Sequence, residues 1–145
     1  MRTMLILTAT ALSILLTPPS FAAPDFEKEI WPIFKDRCLD CHKAAYVDPN
    51  TNRVRKPKAG RRLDGRMFIM APRPDWYIPD FWEELPVIYP GSPDKSALYM
   101  LINEPHDSDY VMPARGEPLS GAQIELIKDW IEAGANFGSW VGATE

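Results

Sequence analysis

The residues able to do chemistry are gathered in one place. Cys38-Leu39-Asp40-Cys41-His42 holds both cysteines of the chain and one of its two histidines. Three chemistries use paired cysteines at this spacing: a redox-active disulfide, half of a zinc site, and covalent attachment of haem, for which Cys-x-x-Cys-His is the signature. A thioredoxin-type dithiol belongs to a βαβ context, whereas this motif ends a stretch with helical patterning. A structural zinc ion takes four ligands, and outside the motif only His106 and carboxylates remain. A plain Cys38–Cys41 disulfide leaves His42 without a role. Haem attachment uses every residue. On a helical turn, positions i and i+3 share a face, so each thiol can meet one vinyl group. His42 then approaches the iron from the proximal side, and its other ring nitrogen needs an acceptor. One motif implies one covalently bound haem c.

An iron that only passes electrons is capped on both sides, and a thioether sixth ligand raises its potential. Beyond residue 22 the chain offers Met67, Met70, Met100 and Met112. Met112 stands in a loop before the last helical stretch, followed by Pro113, whose ring stiffens the backbone. It is the expected axial partner of His42. Met67 and Met70 in a short helix, Met100 beside an apolar helical face, and His106 in a polar loop are its rivals.

Several elements must position these groups. Residues 1–22 read as a secretory signal peptide: Arg2, an apolar run from Met4 to Leu16, then Pro18-Pro19 and the small residues Ser20 and Ala22. The run is shorter than the roughly 20 apolar residues of a membrane span. Cleavage before Ala23 leaves 123 of the 145 residues as a single domain, 23–145, outside the cytoplasm. With 16 Lys and Arg against 20 Asp and Glu, the chain carries −4, and −5 once Arg2 is removed.

Asp25 to about His42 carries a buried stripe of Phe26, Ile30, Ile33, Phe34 and Cys38 at helical spacing, with a kink or late start at Pro32. Lys43 to Gly60 reads as loop and Leu63 to Met70 as a short helix. Residues 71–93 contain six prolines and cannot form a long regular element. Ser92 and Pro93 start a further helix as N-cap and N1, with Ala97, Leu98, Leu101 and Ile102 on one face. Ser120 to Gln123 is a capping box for a last helix presenting Ile124, Ile127, Trp130 and Ile131, with its exit at Gly134. The reading is all-α, three to five helices with long loops, and such loops need something to pack on.

The blocks "IWPIFKDRCLDCH", "AGRRLDG", "YPGSPDKSALYMLI" and "DYVMPARGEPLSGAQIELIKDWIEAGA" resemble those of class I-like cytochromes c, above all the planctomycete-type cytochrome c domain. The resemblance spans roughly residues 30–135. It implies a cytochrome c-like fold in which the first and last helices cross beside the haem, with His42 and Met112 as axial ligands. It departs at Met112-Pro113-Ala114, where the family often has Met-Pro-Pro, and "APRPDWYIPDFWEELP" matches no family block. The expectation is a soluble periplasmic carrier of one electron at a time, not an enzyme in its own right. The alternatives are a haem-bearing subunit of a dehydrogenase or oxidase complex, or a haem-based sensor of small ligands.

Arg53, Arg55, Lys56, Lys58, Arg61, Arg62 and Arg66 form a basic run diluted only by Asp64. The remainder of the mature chain carries eight basic against 19 acidic residues, so the molecule is dipolar. Arg61 and Arg62 are expected at the haem propionates, and the run as a whole is expected to steer redox partners with an acidic docking surface. Nucleic acid is not an expected partner of an exported acidic protein, nor is membrane insertion after cleavage. Trp76, Tyr77, Phe81 and Trp82 cluster among prolines, as packing for a long loop or as cover for the haem edge. N-terminal sequencing of the exported protein should start at Ala23, within a residue or two. Recovery of Met1 on a membrane-bound product would make residues 4–16 an anchor instead.

Overall fold

The computed structural model describes residues 22–71 and 85–145. The leader up to residue 21 and the cluster Trp76, Tyr77, Phe81 and Trp82 lie outside the described residues. Asp25 caps the first turn, its carboxylate accepting the Lys28 N–H at 3.0 Å. Pro32 has no N–H to give the Lys28 carbonyl, and the chain meets it with a wide π turn over Phe26–Ile30, in which the Trp31 N–H reaches back to Phe26 O. Helix α1 (Trp31–Arg37) follows. It stops at Arg37, short of the expected His42, because Cys38 already leaves ideal helical angles at φ −119°.

The expected loop from Lys43 to Gly60 contains a small antiparallel hairpin, β1 (Tyr46–Val47) and β2 (Val54–Arg55), with Tyr46 opposite Arg55 and Val47 opposite Val54. Its turn is built by Asp48, which accepts the Asn50 N–H and the Arg55 guanidinium. Asn52 supplies the left-handed residue, at φ +51°. The short helix expected over Leu63 to Met70 is a single turn, α2 (Arg66–Ile69).

Pro93–Lys95 forms one 3₁₀ turn, separated from α3 (Ala97–Ile102) by extended Ser96. The Ser92 side chain makes no cap bond there. Fully buried Ser96 acts as the staple, its hydroxyl 2.9 Å from Ser92 O and accepting the Tyr89 N–H at 2.8 Å. Helix α4 (Gly121–Glu132) begins with the full capping box of Ser120 and Gln123. It ends at Gly134, whose φ of +98° suits glycine.

Packing joins the two ends of the chain. Phe26 lies against Trp130 (5.1 Å between ring centroids), Phe137 (4.6 Å) and Trp140 (4.7 Å). Phe34 meets the edge of Trp130 at 88°. The Trp130 indole N–H, with the ring wholly buried, donates to Asn136 O at 2.9 Å. Such ring pairs add about 0.5–1.5 kcal/mol each beyond their buried area. Helix α3 packs on α4. Among the described residues no helix is long and apolar enough to cross a membrane.

The C-terminal tail returns to the middle of the chain. Arg66 N–H donates to Val141 O at 2.9 Å, Ala143 N–H donates to Asp64 O at 2.8 Å, and Gly65 faces Gly142 in an antiparallel bridge. Glycine is required on both sides. A Cβ at Gly142, where φ is +66°, would lie 2.6 Å from Asp64 O, and one at Gly65 would strike the Ala143 carbonyl. Gly65→Ala should therefore lower stability by about 1–3 kcal/mol. Gly121→Ala, with nothing within 4 Å of the added methyl, should stay within about 0.5 kcal/mol of the parent. Denaturant midpoints check the contrast, and equal shifts would show that the tail is not clamped there.

Candidate cofactor-attachment site

The motif sits on a turn that outlives its helix. Cys41 N–H and His42 N–H both bond back to Cys38 O, at 3.1 and 2.9 Å. The i, i+3 relation of the two cysteines thus survives although α1 has ended. Both are free thiols, each half-buried. Burial pushes the Cys38 thiol up to about 12, against the opposing pull of the Arg37 charge. A nucleophilic cysteine of a disulfide oxidoreductase needs the opposite, a lowered value. Among the described residues no three His, Cys, Asp or Glu side chains converge on one point.

The turn is strapped by the segment that follows the hairpin. Lys58 N–H donates to Cys41 O at 2.8 Å, and Leu63 N–H donates to His42 O at 2.7 Å. Between these, His42 Nδ1 lies 3.1 Å from Arg61 O. A carbonyl can only accept, so Nδ1 carries the proton and Nε2 keeps its lone pair for another partner. Burial lowers the His42 pKa, partly opposed by the Arg61 carbonyl. The imidazole is thereby kept in the neutral form that binds metals.

Asp64 locks the strap. Its carboxylate accepts Ala44 N–H at 2.8 Å and both Arg62 Nε and a terminal Arg62 nitrogen, at 2.9 and 3.0 Å. Burial would raise the Asp64 pKa, but Arg62 and the Ala44 amide outweigh it and hold the carboxyl below its usual value. The Arg62 guanidinium also stacks 3.6 Å above the Phe68 ring. Arg62, expected at a propionate, is thus engaged within the protein, while Arg61 contributes its carbonyl to His42.

Met112 is half-buried and packs on the same core as Cys38 and Leu39. Its N–H is held by Leu101 O at 2.9 Å. The loop after it is tied to the motif side by Arg37, the last residue of α1, whose guanidinium donates to Glu117 O. Of the rivals, Met67 on α2 and Met70 at its C-cap are 56% and 39% exposed, Met100 is half-buried on α3, and His106 is exposed in a turn. In comparisons with known proteins, no family model matches the chain, nor does any curated protein or solved structure.

Sequence reasoning missed Asp64 and Arg37 as parts of the site. The visible signal for Asp64 was its isolation: a single carboxylate inside a cationic run calls for a partner. Arg37 acts on a backbone carbonyl, which no residue type announces. Arg37→Ala should cost about 1 kcal/mol, measured from the denaturant midpoint. A midpoint equal to the parent's would mean that the loop is held by something else.

Proposed function

We propose that the protein is an exported monohaem c-type cytochrome that carries single electrons between redox partners. The observation that carries this reading is the one-sided imidazole: His42 gives its Nδ1 proton to a backbone carbonyl and leaves Nε2 open, directly after two free thiols on one turn. The haem, when bound, supplies a ferrous/ferric couple. Everything else falls to the chain. Cys38 and Cys41, two free thiols on one turn, would hold the ring covalently in place. His42 Nε2 would hold the iron, and the Arg61 carbonyl keeps the ring in the tautomer that leaves Nε2 its lone pair. Met112 would supply a second ligand, a thioether, which would favour the ferrous state. Cys38, Leu39 and Met112 pack against the apolar core, whose low polarity would keep water from a ring held there. Exposed Arg53, Lys56, Lys58 and Arg66 favour partners with an acidic face.

The intact mass after acid–acetone extraction, from a host competent in cytochrome maturation, should exceed that of the polypeptide by one haem. A bare-polypeptide mass sinks the reading. Sulfur ligation gives a weak far-red charge-transfer band in the oxidised protein. Met112→Ala should abolish that band and lower the midpoint potential, and retention of both would hand the ligand role to Met67, Met70 or Met100.

A further inference from the structure

We propose that Asp64 is the positioning residue for His42, setting through the strap how firmly the imidazole is held and how much electron density it offers. The inference rests on the reading of His42 as the iron ligand. Its geometric basis is a closed ring of bonds. The bond from His42 Nδ1 to Arg61 O joins two short chain segments. The Asp64 carboxylate holds the first segment at Ala44, two residues after His42, and the second at Arg62, one residue after Arg61. The His42 carbonyl and Leu63 N–H complete the ladder at 2.7 Å. The Asp64 backbone carbonyl, in turn, takes the Ala143 N–H of the C-terminal tail at 2.8 Å.

This is not a surface ion pair. The Arg62 and Asp64 side chains are only 15% and 13% exposed. Phe68 covers the guanidinium on one face. Removing the carboxylate frees the Ala44 amide, whose bond to it spans the two segments, and leaves the Arg62 charge unanchored within the second, so the segments can slide apart. A longer Nδ1–H···O contact makes the imidazole a poorer donor. A poorer donor stabilises ferric iron less, so the potential rises.

The test uses the haem-loaded protein and compares four variants: Asp64→Ala, the double variant Arg62→Ala with Asp64→Ala, Asp64→Asn, and Ile127→Val as a control that loosens the α4 core without touching the strap. Two readouts are needed, solvent exchange of the His42 Nδ1 proton by NMR and the midpoint potential. The alanine variants should exchange at least about tenfold faster than the control. Asp64→Asn keeps the shape and one acceptor but loses the ion pair. It should exchange at least about threefold faster than the control, and it decides the matter if the alanine variants do not accumulate. The double variant removes one charge of each sign, so its net charge is unchanged and its potential reports on the ligand. That potential should lie above the parent's.

Exchange equal to the control's, or an unchanged potential, makes Asp64 merely structural and overturns the inference. A lower potential also overturns it, since that sign belongs to loss of a positive charge acting on the cofactor directly. If the parent protein carries no covalent haem, the reading of the site and the inference fail together. If it carries haem and the variants match the control, only the role of Asp64 fails.

Discussion

The structure turns on the bond from His42 Nδ1 to the carbonyl of Arg61. A half-buried imidazole must satisfy one ring nitrogen inside the protein, and whichever nitrogen is satisfied decides which remains available. Here the acceptor is backbone, which cannot rotate away as a side chain can. The tautomer is therefore fixed by where the strap runs. The strap is located by Lys58 and Leu63 on the motif side, by Asp64 in the middle and by the tail at Gly65 and Gly142. A net hydrogen bond is worth only about 1 kcal/mol. The arrangement gains its firmness from having several such bonds along two parallel runs of backbone, so that no one of them opens alone.

The need for this bracing follows from how little regular structure the described residues have. Helices α1, α2 and α3 are too short to persist by propensity alone, and the hairpin is two residues deep on each side. Stability must come from tertiary contacts, and the dominant one is the aromatic cluster that locks Phe26 and Phe34 to Trp130, Phe137 and Trp140. That cluster draws the first and last helices together and leaves the motif at the exit of α1, at the edge of the core. Cys38, Leu39 and Met112 are half-buried groups packed against that core. A flat apolar cofactor would extend the core in that direction.

What could be read from the chain, and what could not, divides by range of interaction. The capping box at Ser120, the glycine exit at Gly134 and the stripe of Phe26, Ile30, Ile33 and Phe34 are local, and the folded chain uses all of them. The end of α1 was misplaced because a helical turn continues through Cys38 to His42 without the helix itself. The hairpin was missed because two-residue strands have no alternation to detect, and only Asp48 and Asn52 carried its signal. The strap was invisible for a different reason. Its acceptors are the carbonyls of Cys41, His42 and Arg61, which every residue has.

The basic run shows how one stretch can hold two kinds of charge. Arg55 is closed onto Asp48 at the hairpin, and Arg62 onto Asp64 at the strap. Arg53, Lys56, Lys58 and Arg66 stand exposed. The exposed set acts through solvent, and its field fades over a Debye length of about 8 Å at physiological ionic strength. The Arg62–Asp64 pair is shorter-ranged and half-buried, so salt weakens it far less. Changing the ionic strength would therefore tune how the surface meets another molecule while leaving the imidazole's support untouched. The two kinds of charge can share residues 53–66 because one stands in side chains that face water and the other is a carboxylate turned inward against the backbone.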